Sequence, residues 1–394
     1  MKKELLLLIM LFAGLTVQAV PSDAPAIPKY TYDRTTGALT LNWGEFNNWD
    51  NWDNDVTNTA VKSVTATSEV SFTGDCSQLF YNFNQCKSMD LSQVNTSGMT
   101  NAKRMFRDCS SLTSLDLSGW NTANVTDMYE MFNYCESLTS LKLTGWNTSN
   151  VIDMGFMFNY CSSLTSLDLS SFNTASVMDM YYMFSECVQL TSLDLSGFNT
   201  ANVTSMTQMF YNCRGLTVLN LTGWDTGRVM TMGSMFSGCS SLTSLDISGW
   251  NTANVWYMND MFANCTSLTT IYAGPGWTTD YAYGEWAEGM FTRCTSLVGG
   301  MGTAFDENHT DKTYARIDGG PASPGYFTAK FNAQRGDVNG DDIVNISDVI
   351  DLIDYLLSGD DSSINLEAAD CDPDGVVRIS DITSLIDYLL NHNW

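Results

Sequence analysis

Cys109, Cys135, Cys161, Cys187, Cys213, Cys239 and Cys265 follow one another at intervals of 26 residues. A fixed interval repeated this often constrains the fold more than any local motif, because it marks stacked units that complete one another's core. One unit reads Leu112-Thr-Ser-Leu115-Asp-Leu117-Ser-Gly-Trp120-Asn121-Thr-Ala-Asn-Val125-Thr-Asp-Met128-Tyr-Glu-Met131-Phe132-Asn-Tyr-Cys135, and the next begins at Leu138. Cys86 and Cys294 extend the array with irregular steps of 23 and 29 residues.

Equivalent positions of a stack share one environment, so repetition sorts each unit into core and surface. The three leucines, the aromatic column (Trp120, Trp146, Phe172, Phe198, Trp224, Trp250), the Val, the Met, the Met-Phe pair and the Cys read as core. Leu-x-x-Leu-x-Leu followed by Asn resembles the leucine-rich-repeat pattern and predicts a short strand. Met-x-x-Met-Phe-x-x-Cys places apolar residues at i, i+3, i+4 and i+7, which predicts a short helix. The expected fold class is α/β: a leucine-rich-repeat-like solenoid of short strands and short helices. Nine units at about 4.8 Å per strand make a rod roughly 40 Å long.

Columns that vary point to water. The pair before each Met-Phe carries Tyr129, Phe156, Tyr181 and Tyr182, and Tyr211 follows the pair in its own unit. Exposed aromatic residues favour interfaces, so these five are the candidate ligand-binding residues. The strand face carries Asp116, Lys142, Asp168, Asp194, Asn220 and Asp246, a column read first as a solvated face and, as the alternative, as a site for a cation or a hydroxyl-rich ligand. Asn121, Asn147, Asn173, Asn199 and Asn251, interrupted by Asp225, read as turn scaffolding. Stacked cysteines have parallel Cα–Cβ vectors, which suits buried thiols better than bridges. Cys76 and Cys86, outside the regular array, are the best candidates for a disulfide.

The chain carries 44 Asp and Glu against 18 Lys and Arg, a formal charge of −26, so nucleic acid is a poor partner. Its two histidines, His309 and His392, leave little material for a histidine-based metal or triad site. Lys2 and Lys3, the apolar run Leu5 to Phe12 and the ending Val17-Gln18-Ala19 read as a secretory signal over 1–19. The expectation is a secreted or cell-surface-associated protein with no membrane insertion after signal removal. Residues 20–74, with Leu39, Leu41 and Trp43 in alternation, read as a β-rich N-terminal cap, and 75–330 as the solenoid with its C-terminal cap.

The units resemble the BspA-type leucine-rich-repeat surface proteins, a bacterial family also known through a mycoplasma lipoprotein repeat. The closing stretch with Cys294-Thr-Ser-Leu-Val-Gly-Gly and Pro324-Gly-Tyr-Phe is similar to that family's terminal cap. The resemblance implies a binding protein or adhesin for an extracellular protein or glycan ligand, and not an enzyme.

Beyond a 331–336 linker the composition turns strongly acidic. Asp337, Asn339, Asp341, Ile343 (through its carbonyl), Asn345 and Asp348 occupy positions 1, 3, 5, 7, 9 and 12 of an EF-hand-like loop, the oxygen-rich spacing that calcium requires. Asp370, Asp372, Asp374, Val376 and Asp381 repeat it at an offset of 33 residues, with Arg378 at position 9, so the second of the two Ca2+ sites should be the weaker. Each loop runs into an amphipathic helix, expected over Val349–Leu357 and Ile382–Leu390. Residues 337–394 resemble a type I dockerin, a small all-α calcium-binding domain. That likeness implies docking onto a cohesin-like protein near Ile346, Ser347, Ile379 and Ser380. A structural spacer with a calcium-stabilised tail, or a carbohydrate-active enzyme carried by the dockerin, are the rival readings.

Overall fold

The computed structural model describes residues 28–48, 56, 58–282, 284–330, 335–341, 343–361, 364–372 and 376–391. The predicted signal, the 331–334 part of the linker and Asp374 lie outside them. Short parallel strands stack along one side of the chain, several built like Ser114–Asp116 from a buried leucine between two exposed polar residues. Ser114–Asp116 pairs with Ser140–Lys142, and Ser192–Asp194 with Val218–Asn220. Ser244–Ile247 pairs with Thr270–Ala273, which pairs with Phe327–Ala329. The same stack starts well upstream: Ala38–Leu41, Ser63–Ala66 and Ser88–Asp90 are parallel neighbours, and Tyr30–Asp33 closes the first edge antiparallel. Described strands of the segment expected as an N-terminal cap thus join the stack, and one hydrophobic core runs from Leu39 to Phe327.

The Met-x-x-Met-Phe-x-x-Cys segment lies buried as its periodicity requires, but it is a ribbon of turns and not a helix. Its amides alternate in direction. Met128, Glu130, Phe132 and Tyr134 donate to the carbonyls of Asp153, Gly155, Met157 and Asn159 in the next coil, at 2.9–3.1 Å. Met131, Asn133 and Cys135 donate three residues back within their own coil. Such alternation requires a left-handed residue at every second turn, and Glu130 and Tyr134 have φ of 57° and 60°. Spacing explains the choice. A helix is about 10 Å across, whereas Phe106, Phe132, Phe158, Phe184, Phe210, Phe236 and Phe262 stack ring on ring with centroids 5.6–5.8 Å apart. A helix in every coil would wedge that side open.

The cysteine column is a ladder of free, buried thiols. Cys135 donates to the Phe106 carbonyl at 3.2 Å and Cys161 to Phe132 at 3.3 Å, with the pattern kept up to Cys294. Burial pushes the Cys187 and Cys239 thiols up to about 12. Cys76 and Cys86, the candidates for a bridge, form none: Cys86 donates to the Ser88 carbonyl and Cys76 reaches the Phe46 carbonyl. The asparagine column does scaffold the turns, each side chain accepting the amide two residues on, as Asn121 does from Ala123 at 3.1 Å.

The tail has its own small core of Val338, Val349, Leu352, Ile364, Ala369, Cys371 and Leu385. Helices α1 (Ile346–Ser358), α2 (Leu366–Ala369) and α3 (Ile379–Asn391) surround it. Helices α1 and α3 begin three residues earlier than their apolar pattern indicates. Asn345 caps α1 through the Ser347 amide, and Asp348 returns the bond to the Asn345 amide.

A second buried ladder was hidden in the repeat. Thr148 donates to the Asn173 carbonyl at 2.8 Å and accepts the Asn173 amide at 2.8 Å, and Thr122, Thr174 and Thr226 bond in the same manner or donate likewise. Thr148→Val keeps the shape but leaves both backbone groups of Asn173 without that partner. It should destabilise the solenoid by about 2 kcal/mol, read as a lower urea midpoint.

Candidate ligand face and loop module

Four of the five candidate rings meet on the turn ribbon. Phe156 stacks on Tyr182 at 4.4 Å, stands edge-on to Tyr181 at 5.3 Å and edge-on to Tyr129 at 5.9 Å. Gly155 makes the group possible: a Cβ there would come within 2.9 Å of the Tyr181 ring. Tyr211 is half-buried and stacks on no other ring among the described residues; it lines a shallow recess with Asn212 and Arg214.

Beside the rings runs a column that the sequence reading passed over. Asn101, Asp127, Asp153, Asp179, Ser205, Thr231 and Tyr257 pair in turn as parallel bridges. Asp127 accepts the Tyr129 amide at 2.9 Å and Asp153 the Gly155 amide at 2.8 Å, each through Oδ1. Lys103 lies 3.9 Å from Asp127 Oδ2 and 4.6 Å from the Tyr129 ring centroid. Burial, helped by the neighbouring carboxylates of Asp127 and Asp179, pushes the Asp153 carboxyl up to about 6. One position earlier stand Ile152, Met178, Met230 and Trp256, exposed by 49, 47, 46 and 39 %, where other coils carry Thr126 and Thr204. Trp256, Tyr257 and Trp286 form a second ring group, with centroids 5.5–5.7 Å apart. The signal for both columns was variation inside a unit that otherwise repeats.

The strand-face column behaves as the solvated scaffold expected of it. Asp116 accepts from Ser118 and from Lys142 at 2.9 Å, Asp194 from Asn220 at 3.0 Å, and Lys330 bonds Asp246.

In the tail the two loops obey one rule. Asp348 accepts the Asn339 amide at 3.2 Å and the Asn345 amide at 2.8 Å. Asp381 accepts the Asp372 amide at 3.0 Å and the Arg378 amide at 2.8 Å, the same positions displaced by 33 residues. Ile343 and Val376 lie exposed, as do Ile346 and Ile379 at the helix starts, while Ser347 donates to Asn345 at 2.9 Å. The Arg378 side chain donates to Ser380 at 3.2 Å.

The family model described as a Mycoplasma protein of unknown function, DUF285, matches residues 43–141, 74–189, 137–219 and 193–305. The chain belongs to the DUF285 family. Residues 335–390 match the dockerin type I domain. The chain is similar to a leucine-rich cell surface protein from Faecalibacterium prausnitzii, 19 % identical, covering 69 % of this chain and 85 % of that one, TM-score 0.26. It is also similar to a leucine-rich repeat protein from Bacteroides ovatus, 16 % identical, covering 68 % and 79 %, TM-score 0.33. No curated protein matches it. The DUF285 repeats thus include both ring groups, the dockerin type I domain includes both loops, and no helix among the described residues is long and apolar enough to cross a membrane.

The dockerin residues fit a calcium ion, the class of ligand that type I dockerins hold. Asp337, Asp348 and Asp381 are fully buried, and burial with the Asp337 charge raises the Asp348 carboxyl. Oxygens of Asp370, Asp372 and Asp381 lie within 4.8 Å of one another. Asp372 Oδ1 is buried with no hydrogen-bond partner. Buried, crowded carboxylates need a cation to offset their desolvation and repulsion.

On the DUF285 face, the raised Asp153 carboxyl makes the folded state hold a proton that the unfolded chain releases near pH 4. Its contribution to stability is therefore present below about pH 4 and lost as pH rises through about 6. Asp153→Asn should raise the melting temperature at pH 7.5 and leave it nearly unchanged at pH 3.5, read by scanning calorimetry at both values.

Proposed function

We propose that this is an exported, non-enzymatic binding protein. Its solenoid recognises an extracellular protein or glycan through the face carrying Tyr129, Phe156, Tyr181 and Tyr182, and its tail tethers it to a cohesin-type partner. The observation that carries this reading is the joining, in one chain, of a DUF285 solenoid with a dockerin type I domain. A module of the second kind is an attachment device, and it leaves the solenoid surface free for a ligand. The leader over 1–19 supplies export, and cell-surface association follows from the tether. The similarity to a leucine-rich cell surface protein agrees with that location.

In this reading Asp337, Asn339, Asp341, Asn345 and Asp348, with the Ile343 carbonyl, hold one calcium ion. Asp370, Asp372, Asp374 and Asp381, with the Val376 carbonyl, hold a second more weakly, since Arg378 brings no ligand oxygen. Calcium neutralises the buried carboxylates and fixes α1 and α3, and the segments at Ile346-Ser347 and Ile379-Ser380 then face the cohesin. Calorimetric titration of the chelator-stripped chain with calcium should give two binding steps, and Asp381→Asn should remove the weaker one. A single step, or loss of the tighter step in that variant, would reverse the assignment.

The tether itself is tested by using the full chain as bait against envelope and medium proteins of the source organism, with calcium and with chelator. Calcium-dependent capture of one partner, lost when Ile346, Ser347, Ile379 and Ser380 are changed together to Ala, Asp, Ala and Asp, is the expected result. Binding indifferent to calcium and to those changes would refute the dockerin role.

A further inference from the structure

The exposed apolar column of the DUF285 ribbon is not demanded by the fold. Ile152, Met178, Met230 and Trp256 make the same backbone bond to the preceding coil as Thr126 and Thr204 do, so a threonine satisfies the position. Large apolar side chains kept in water at a position where threonine suffices are a surface for something to cover. Ile152 and Met178 belong to the coils that also carry three rings of the four-ring group, Phe156, Tyr181 and Tyr182, and the Asp153 and Asp179 carboxylates.

The chain itself contains a group seated on this face. Lys103, one coil before Tyr129 in the same column, holds its ammonium over the Tyr129 ring at 4.6 Å and 3.9 Å from Asp127. Translation by one coil brings Asp127 onto Asp153, and by two coils onto Asp179, while the places equivalent to Lys103 are then held by Tyr129 and Gly155, neither of which is a cation. Asp153 and Asp179 thus repeat the carboxylate side of the Lys103 seat, with the rings of Tyr129 and Tyr181 6.3 Å apart beside them. A neutral sugar would leave these charges uncompensated, and it needs an open ring face. Phe156 has one face against Tyr182 and meets Tyr129 and Tyr181 edge-on.

We propose that this face binds a lysine-bearing, apolar segment of a partner polypeptide, its ammonium groups at Asp153 and Asp179 and its apolar side chains on Ile152, Met178 and the Tyr129–Phe156–Tyr181–Tyr182 rings. The proposal rests on the reading of the solenoid as the ligand-binding part and names the class of ligand. Aromatic faces and carboxylates together select a cation more strongly than either alone.

The test is calorimetric titration of the full chain at physiological salt with three probes: a short capped peptide of lysine, leucine and serine, its glutamate counterpart, and a neutral glucose oligosaccharide. The lysine peptide should bind and the glutamate peptide should not. Asp153→Asn with Asp179→Asn should weaken binding about tenfold, whereas Asp168→Asn with Asp194→Asn, an identical charge change on the strand face, should leave it unchanged. Equal weakening by both pairs would reduce the effect to the general negative charge and overturn the proposal. Oligosaccharide binding that is lost in Tyr181→Ser, with no peptide binding, would overturn it while keeping the solenoid as a ligand-binding surface. No binding by any probe would remove both.

Discussion

Everything in the solenoid depends on holding successive coils at strand spacing on both of their sides. On the strand side this is ordinary parallel pairing. On the other side the chain achieves it by sending every second amide, from Met128, Glu130, Phe132 and Tyr134, across to the next coil. The backbone must then accept left-handed residues such as Glu130 and Tyr134, each strained by something of order 1 kcal/mol. Inter-coil hydrogen bonds, the phenylalanine stack and the threonine and thiol ladders offset that strain, and they repeat in coil after coil. Because each ladder spans neighbouring coils, no unit holds its shape alone.

The same constraint decides where function can reside. Valine, methionine, phenylalanine and cysteine columns are enclosed, as is the leucine column apart from the partly buried Leu167 and Leu219, and the threonine and asparagine columns bond backbone groups. The strand-face acids likewise accept from their own turns or from Lys142, Asn220 and Lys330. The columns at Ile152, Asp153 and Phe156, and their equivalents, keep apolar surface, a carboxylate oxygen or a ring that the stacking bonds do not use. They change chemistry along the rod, from carboxylates and phenol rings in early coils to Trp256, Tyr257 and Trp286 near its end.

Much of this was legible in the sequence because repetition acts as an internal control on environment. The core columns, the thiol ladder and the asparagine turns followed from it directly. The helix expected over Met-x-x-Met-Phe-x-x-Cys did not form, since i, i+3, i+4 and i+7 spacing reports which residues point inward and is silent about how close the next coil must approach. The Asp127–Asp153–Asp179 column escaped notice for the opposite reason. Within three coils it repeats as faithfully as a core position, and only its replacement by Ser205, Thr231 and Tyr257 distinguishes it. In the tail, loop spacing marked the candidate calcium ligands, while the helix starts at Ile346 and Ile379 depended on capping bonds that an apolar pattern does not register.

Charge links the two halves of the chain without merging their roles. Acid in the tail is gathered into loops where Asp337, Asp348 and Asp381 are buried, an arrangement that favours a small divalent ion able to take several oxygens at once. Acid in the Asp127–Asp153–Asp179 column is strung out one carboxylate per coil, with one oxygen of Asp127 and of Asp153 already committed to its own loop amide. Such a row cannot wrap a single ion as the loops do. It is matched by charges carried on flexible stems at separate points, and Lys103 already provides one of them from within the chain.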